Sequence, residues 1–132
     1  MQTPMRNVVL IDDNAIFRTI FGIMISSFEN IEFMSYENAL DALDGLKLNQ
    51  VDSTDIPDYL FVDINMPYMS GWEMMDKLQE EEYSFLQNCK IFIVSSSNLD
   101  SDTQNTKQYP FIKDYIQKPL NKEKLIEILA LP

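Results

Sequence analysis

A chain of 132 residues that is 45% hydrophobic predicts one compact domain with a proper core and little room for a second. Its 21 acids against 10 bases give a net charge of −11, which repels phosphate backbones and argues against direct nucleic-acid binding. The absence of histidine removes Ser-His-Asp hydrolases and most zinc sites, and no apolar run approaches the about 20 residues of a membrane span.

No charged-then-apolar leader signals secretion, and the lone Cys89 has no partner for an internal disulfide. Both fit a reducing cytoplasm, with Cys89 as a buried, inert thiol.

Apolar runs and helical patterns alternate along the chain. Residues 8–11 (VVLI) predict a first short buried strand. After Asp12 and Asp13, the residues Ile16, Ile20, Met24 and Phe28 recur at helix spacing, with Phe17, Phe21 and Ile23 beside them. Residues 31–36 predict a second strand with Ile31, Phe33 and Ser35 on one side. A helix over residues 37–48 follows, its inner face marked by Leu40, Leu43 and Leu46/Lys47. Residues 52–57 (DSTDIP) form a polar loop before a third strand over 59–62 (YLFV).

Proline and glycine then turn the chain sharply at Pro67 and Gly71, before a helix whose inner stripe is Trp72, Met75 and Leu78 and which ends near Glu82. Residues 89–94 predict the fourth strand. Residues 98–108 are rich in Ser, Asn, Asp and Thr, so a helix there has weak intrinsic support. Residues 115–117 predict the fifth strand, and Leu125, Ile128 and Leu129 mark a last amphipathic helix. The eight methionines and eight phenylalanines lie mostly on these stripes and read as core filling.

Five alternations of strand and helix predict an α/β domain, a (βα)5 parallel sheet covered by helices on both faces. The chemistry-bearing residues fall at strand ends: Asp12 and Asp13 after the first, Asp63 after the third, Ser95 after the fourth and Lys118 after the fifth. Open α/β sheets bind ligands outside the carboxyl ends of their strands, where strand order reverses. With order 2-1-3-4-5 the reversal lies between strands one and three, where Asp12, Asp13 and Asp63 converge. Three carboxylates in one crevice repel one another, and a divalent cation resolves the conflict; oxygen donors favour Mg²⁺. Lys118 adds a compact charge able to hold a phosphoryl oxygen, and Ser95 adds a hydroxyl donor. The set reads as phosphoryl transfer with a carboxylate as nucleophile. Singly, each part has a plainer reading: Asp13 or Asn14 as a helix cap, Lys118-Pro119 as a surface turn, residues 95–97 as a polar loop.

The residues Asp12-Asp13 after VVLI, Asp63 within FVDINMPYMSG, Ser95 after IFIV and Lys118-Pro119 after DYIQ resemble the receiver domain of two-component response regulators, in its single-domain, chemotaxis-regulator-like form. The resemblance covers essentially the whole chain, residues 1–132, as one receiver domain of flavodoxin-like doubly wound fold with no output domain. It implies that Asp63 accepts a phosphoryl group from a histidine kinase or phosphotransfer protein. Asp13 and Asp63 would bind Mg²⁺ (Mn²⁺ as the alternative) directly, Asp12 largely through water, and Asn65 through its backbone carbonyl. Lys118, Ser95 and Ser96 would hold the phosphoryl group, Ser95 and Tyr115 would move on activation, and the Lys118-Pro119 bond would be cis. A downstream protein would read the face built from helix four, strand five and helix five. Ser95 stands where threonine is commoner and Ser96 where alanine is; Asn65 and Ser97 occupy positions that tune hydrolysis, and residues 109–114 lack a frequent glycine.

Three rival readings share parts of this pattern. An aspartate-nucleophile phosphatase of the haloacid dehalogenase kind needs an acid two residues after the nucleophile, where Asn65 stands, and takes its nucleophile from the first strand. A flavodoxin-like electron carrier shares the fold, but the loop of residues 12–15 lacks the glycine and hydroxyl donors that a flavin phosphate wants. A degenerate scaffold would have no need of every acid and the lysine. Within the receiver class, a phosphorelay intermediate or a piece of a longer regulator or hybrid kinase remain alternatives.

Overall fold

The computed structural model describes residues 5–52, 57–81, 88–96 and 100–129, except for the side chains of residues 48–52. The expectations for the loop at 53–56, the helix end at Glu82, the position of Ser97 and the start of the polar segment at Asn98 lie outside the described residues. In chain order the elements are β1 (Arg6–Ile11), α1 (Ala15–Ser26), β2 (Ile31–Tyr36), α2 (Ala39–Asp52), β3 (Tyr59–Val62), α3 (Gly71–Glu80), β4 (Lys90–Ser95), α4 (Asp100–Asn105), β5 (Ile112–Gln117) and α5 (Lys122–Ile128). A turn of 3₁₀ helix, Thr106–Gln108, follows α4. The five strands form one sheet in the order β2-β1-β3-β4-β5, with every neighbouring pair parallel. Strand order therefore reverses between β1 and β3, as the pattern predicts.

Alternation along the strands divides the core in two. Val9 and Ile11 of β1, Leu60 and Val62 of β3, and Ile91 and Ile93 of β4 pack with α2 and α3 through Ala42, Leu46, Met74, Met75 and Leu78. Val8, Leu10, Phe61, Phe92 and Val94 point to the opposite face and meet Phe21 and Ile25 of α1 and Leu125 of α5. β3 is buried at all four positions, which is why its sequence is an unbroken apolar run. Burial pushes the Cys89 thiol up to about 12, with Asp58 adding to the shift, so this cysteine stays protonated at neutral pH.

Two inner stripes differ from the periodic reading. In α1 the buried residues are Phe21 and Ile25, with Phe17, Met24 and Phe28 half-buried against the same cluster. Ile16, Ile20 and Ile23 are instead 72%, 48% and 65% exposed. In α2 the core face is Ala39, Ala42 and Leu46, while Leu40 is exposed and Leu43 half-buried. Small alanines let this helix lie close to the sheet, and Tyr36 at the end of β2 fills the space beside Gly45. On the edge strand β2, Ile31 and Phe33 pack inward, but Ser35 and Met34 are exposed. The weakly supported α4 has no buried residue among the described residues. It is tied to the body by Trp72, whose indole N–H donates to Asp102 at 3.3 Å and whose ring stacks on Tyr109 at 5.7 Å. Tyr109 in turn donates its hydroxyl to Asp76 at 2.7 Å.

Candidate functional site

The carboxyl edge of the sheet is held beyond the strands by backbone hydrogen bonds. Asp63 N–H donates to the Ile11 carbonyl at 2.9 Å, and Lys118 N–H to the Ser95 carbonyl at 2.8 Å. Asp63 and Lys118 are thus fixed one step past their strands, facing the point where strand order reverses. The Lys118-Pro119 peptide bond is cis. Asn14, rather than Asp13, caps α1, its side chain accepting the Phe17 N–H. Asp13 is left exposed and available to a ligand.

Asp12, Asp13 and Asp63 each place a carboxylate oxygen within 4.8 Å of the others. Asp12 is fully buried and Asp63 is 7% exposed. Asp12 accepts the Asn14 N–H at 2.9 Å on one oxygen and the Lys118 ammonium at 2.7 Å on the other. Lys118 stands 3.9 Å from Asp63 Oδ2, beyond a hydrogen bond. Asp63 Oδ1 accepts the N–H of Ile64 at 2.8 Å. Burial pushes the Asp63 carboxyl up from 3.8 to about 6; the neighbouring Asp12 adds to the shift, Lys118 and the Ile64 N–H oppose it, and Asp13 adds again. A buried acid so displaced at a cluster of like charges marks a site that gains from a cation. The donors are hard carboxylate oxygens, so the cluster could hold a divalent metal ion of the Mg²⁺ class.

The other expected residues lie at the same end of the sheet. Ser95 is fully buried at the last position of β4, Ser96 and Asn65 are exposed, and Tyr115 is half-buried against the α2–α3 side of the core. Two residues escaped the sequence reading. Arg18 donates to the Asp12 carbonyl at 2.7 Å, and Phe17 lies under Lys118 with its ring centroid 4.2 Å from the ammonium. Arg18 is the single charge in α1, a usable signal; Phe17 carries no sequence mark that sets it apart from core.

The loop from β3 to α3 turns through Tyr68, whose φ of 70° lies in the left-handed region. Its side chain is 83% exposed and so has little packing to lose. A bulky residue there costs about 1–2 kcal/mol, part of which glycine returns through its freer unfolded chain. Tyr68→Gly is therefore expected to raise stability by about 0.5–1 kcal/mol, read from urea unfolding.

A buried acid in a metal-competent cluster beside a lysine, at the carboxyl edge of a doubly wound parallel sheet, is the arrangement that the family assignment has to account for. The chain belongs to the response regulator receiver domain family, whose profile matches residues 8–130. It is 31% identical over 122 residues to hybrid signal transduction histidine kinase L of Dictyostelium discoideum, covering 92% of this chain and 7% of that protein. It is equally 31% identical over 122 residues to the nitrate/nitrite response regulator protein NarL of Escherichia coli, covering 92% of this chain and 52% of the other. The crystal structure of a two component response regulator from Cytophaga hutchinsonii superposes with a TM-score of 0.86 at 23% identity, covering 97% and 96% of the two chains. The chain thus spans about half of NarL and a small part of the hybrid kinase. Among the described residues, no helix is long and apolar enough to cross a membrane.

Proposed function

We propose that Asp63 accepts a phosphoryl group from the phosphohistidine of a cytoplasmic kinase or phosphotransfer protein, in a Mg²⁺-dependent reaction. The observation that carries this reading is the convergence of Asp12, Asp13 and Asp63 within 4.8 Å beside the Lys118 ammonium, itself 2.7 Å from Asp12. The lone pair of an Asp63 carboxylate oxygen forms the new P–O bond as the bond from phosphorus to the donor nitrogen breaks. The electron pair of that bond leaves with the imidazole, which takes up a proton. Lys118 balances the charge on the arriving phosphoryl oxygens, and Ser95 and Ser96, at the end of β4, hold the same group, Ser95 by donating its hydroxyl. Asp13, Asp63 and the Asn65 carbonyl, with Asp12 largely through water, would hold Mg²⁺, which when bound would supply neutralisation of part of the charge on the transferring group.

The donor lands on α1. In a chain of net charge −11, this helix carries no acid and exposes Ile16, Ile20 and Ile23 next to Asp13. The acyl phosphate then draws Ser95 toward it, Tyr115 turns further inward, and the α4–β5–α5 face presents a new surface to a protein target. That α4 buries no side chain among the described residues suits an element that shifts at small cost. The partial coverage of both relatives favours a second setting, in which this single receiver unit works inside a longer regulator, hybrid kinase or phosphorelay.

Intact mass after incubation with Mg²⁺ and acetyl phosphate tests the reading. One added phosphoryl group, absent with EDTA and absent in Asp63→Asn, is the expected result. No addition to the parent, or addition that survives in Asp63→Asn, overturns it.

A further inference from the structure

The Lys118 ammonium has a choice of two carboxylates and takes one. It lies 2.7 Å from Asp12 Oδ2, a charge-assisted hydrogen bond, and 3.9 Å from Asp63 Oδ2, which is none. Beneath it lies the ring of Phe17, its centroid 4.2 Å from Nζ, well inside the range of cation–π attraction.

The ring itself is held in place. Asn14 caps α1 by accepting the Phe17 N–H at 3.1 Å, which fixes where the first turn presents the side chain. The Phe17 ring meets Phe21 at 6.1 Å. Phe21 is fully buried, stacked on Phe33 at 5.4 Å and set edge-on to Phe61 at 5.2 Å. Phe17 therefore ends a packed aromatic row that runs into β3, two residues before Asp63.

Core packing alone would place a ring here without a cation on its face. Resting on the reading of Asp63 as phosphoacceptor, we propose that Phe17 is a positioning residue: its ring holds the Lys118 ammonium on Asp12 and so keeps it from hydrogen-bonding Asp63 Oδ2, whose lone pair attacks phosphorus. An ammonium bonded to that oxygen would occupy the lone pair that the reaction uses. Lys118 remains close enough to meet the phosphoryl oxygens once they arrive.

Fluorination of the ring weakens its hold on a cation while scarcely changing its shape. Phenylalanine, 4-fluorophenylalanine and 3,4,5-trifluorophenylalanine would be installed at position 17 of the full chain, beside Phe17→Leu and Phe17→Trp. Two quantities would be read: the initial rate of labelling by acetyl phosphate at saturating Mg²⁺, and the ring-current displacement of the Lys118 ε-methylene protons in the resting protein. The rate is expected to fall stepwise with fluorination, by about two- to fivefold at the trifluoro ring. Phe17→Leu should match the trifluoro protein, Phe17→Trp should restore the parental rate, and the Lys118 displacement should shrink in step with the rate across the fluorinated rings. A parent that takes no phosphoryl group overturns the acceptor reading and this proposal with it. A parent that is labelled, beside a flat or rising series or an unchanged Lys118 signal, overturns this proposal alone.

Discussion

Asp63→Asn is expected to stabilise the metal-free protein by about 3 kcal/mol at pH 7.5 and to change it little near pH 4. The Asp63 carboxyl is pushed up from 3.8 to about 6, chiefly by burial and then by Asp12. Its folded value therefore lies above its unfolded one. As pH rises from about 4 to about 6, the unfolded chain gives up this proton while the folded protein keeps it, so stability falls across that window. Above about pH 6 both states are ionised and the whole penalty, about 3 kcal/mol for a shift of about two units, is present. Asparagine has no ionisation to penalise. Asp63 is nearly buried, so solvent screening removes little of the effect. Urea unfolding in EDTA at the two pH values checks the difference, and a variant no more stable than its parent at pH 7.5 rules the account out. Saturating Mg²⁺ should raise the parent's stability more than the variant's, since a cation bound only to the folded state offsets the charge on Asp63.

That penalty is the energetic form of the function. A carboxylate kept at the tip of a buried strand, beside two other acids, is a poor contributor to folding, and on the proposed function it is retained there as the nucleophile. Lys118 does not cancel it, because the ammonium is committed to Asp12. On the proposed function, the site rests in a state that gains from the cation and the phosphoryl group that Asp63 would receive.

Much of this was readable in the residues. The strands were legible because β1, β3 and β4 are buried runs, and each run ends on a residue with chemistry: Asp12, Asp63 or Ser95. Strand order turns those ends into one pocket, so Asp12, Asp63 and Lys118, far apart in sequence, meet. The phase of α1 was not legible. Its sequence AIFRTIFGIMIS has apolar residues on every side and one charge, so periodicity had no polar face to set against the apolar one. In α2 the alanines that allow close approach carry a weaker hydrophobic signal than the exposed Leu40. β5 begins at Ile112, three residues before the expected start, because alternation with exposed Lys113 and Asp114 hides an edge strand. The pairing of Lys118 with Asp12 rather than Asp63, and the ring beneath it, depend on distances that no spacing in sequence carries.

Gly71→Ala should show how tightly the pocket depends on the turn behind it. Gly71 is the first residue of α3, and its N–H donates to the Ile64 carbonyl at 2.8 Å. A Cβ at this position would run into the Asp63 carbonyl oxygen and stand 3.0 Å from Ile64 Cα and 3.1 Å from the Asp63 carbonyl carbon. All three are backbone atoms, so no side-chain rotation relieves the contact. Either α3 backs away, giving up the hydrogen bond to Ile64 and the packing of Met74, Met75 and Leu78, or the chain after β3 moves and takes Asp63 with it. Overpacking against side chains costs about 1–3 kcal/mol, and a backbone obstacle belongs at or above the top of that range, so a loss of about 3 kcal/mol is expected. The capping box of Ser70 and Glu73 fixes the start of α3 and hinders a simple slide of the helix. Labelling by acetyl phosphate should fall by about tenfold or more in whatever fraction remains folded, since a displacement of this kind misaligns the nucleophile. Gly71→Ser should behave like alanine, because the obstacle is the Cβ and not its substituent. Parental stability with a parental labelling rate in Gly71→Ala would mean that the approach of α3 to the Asp63 carbonyl does not hold the pocket together.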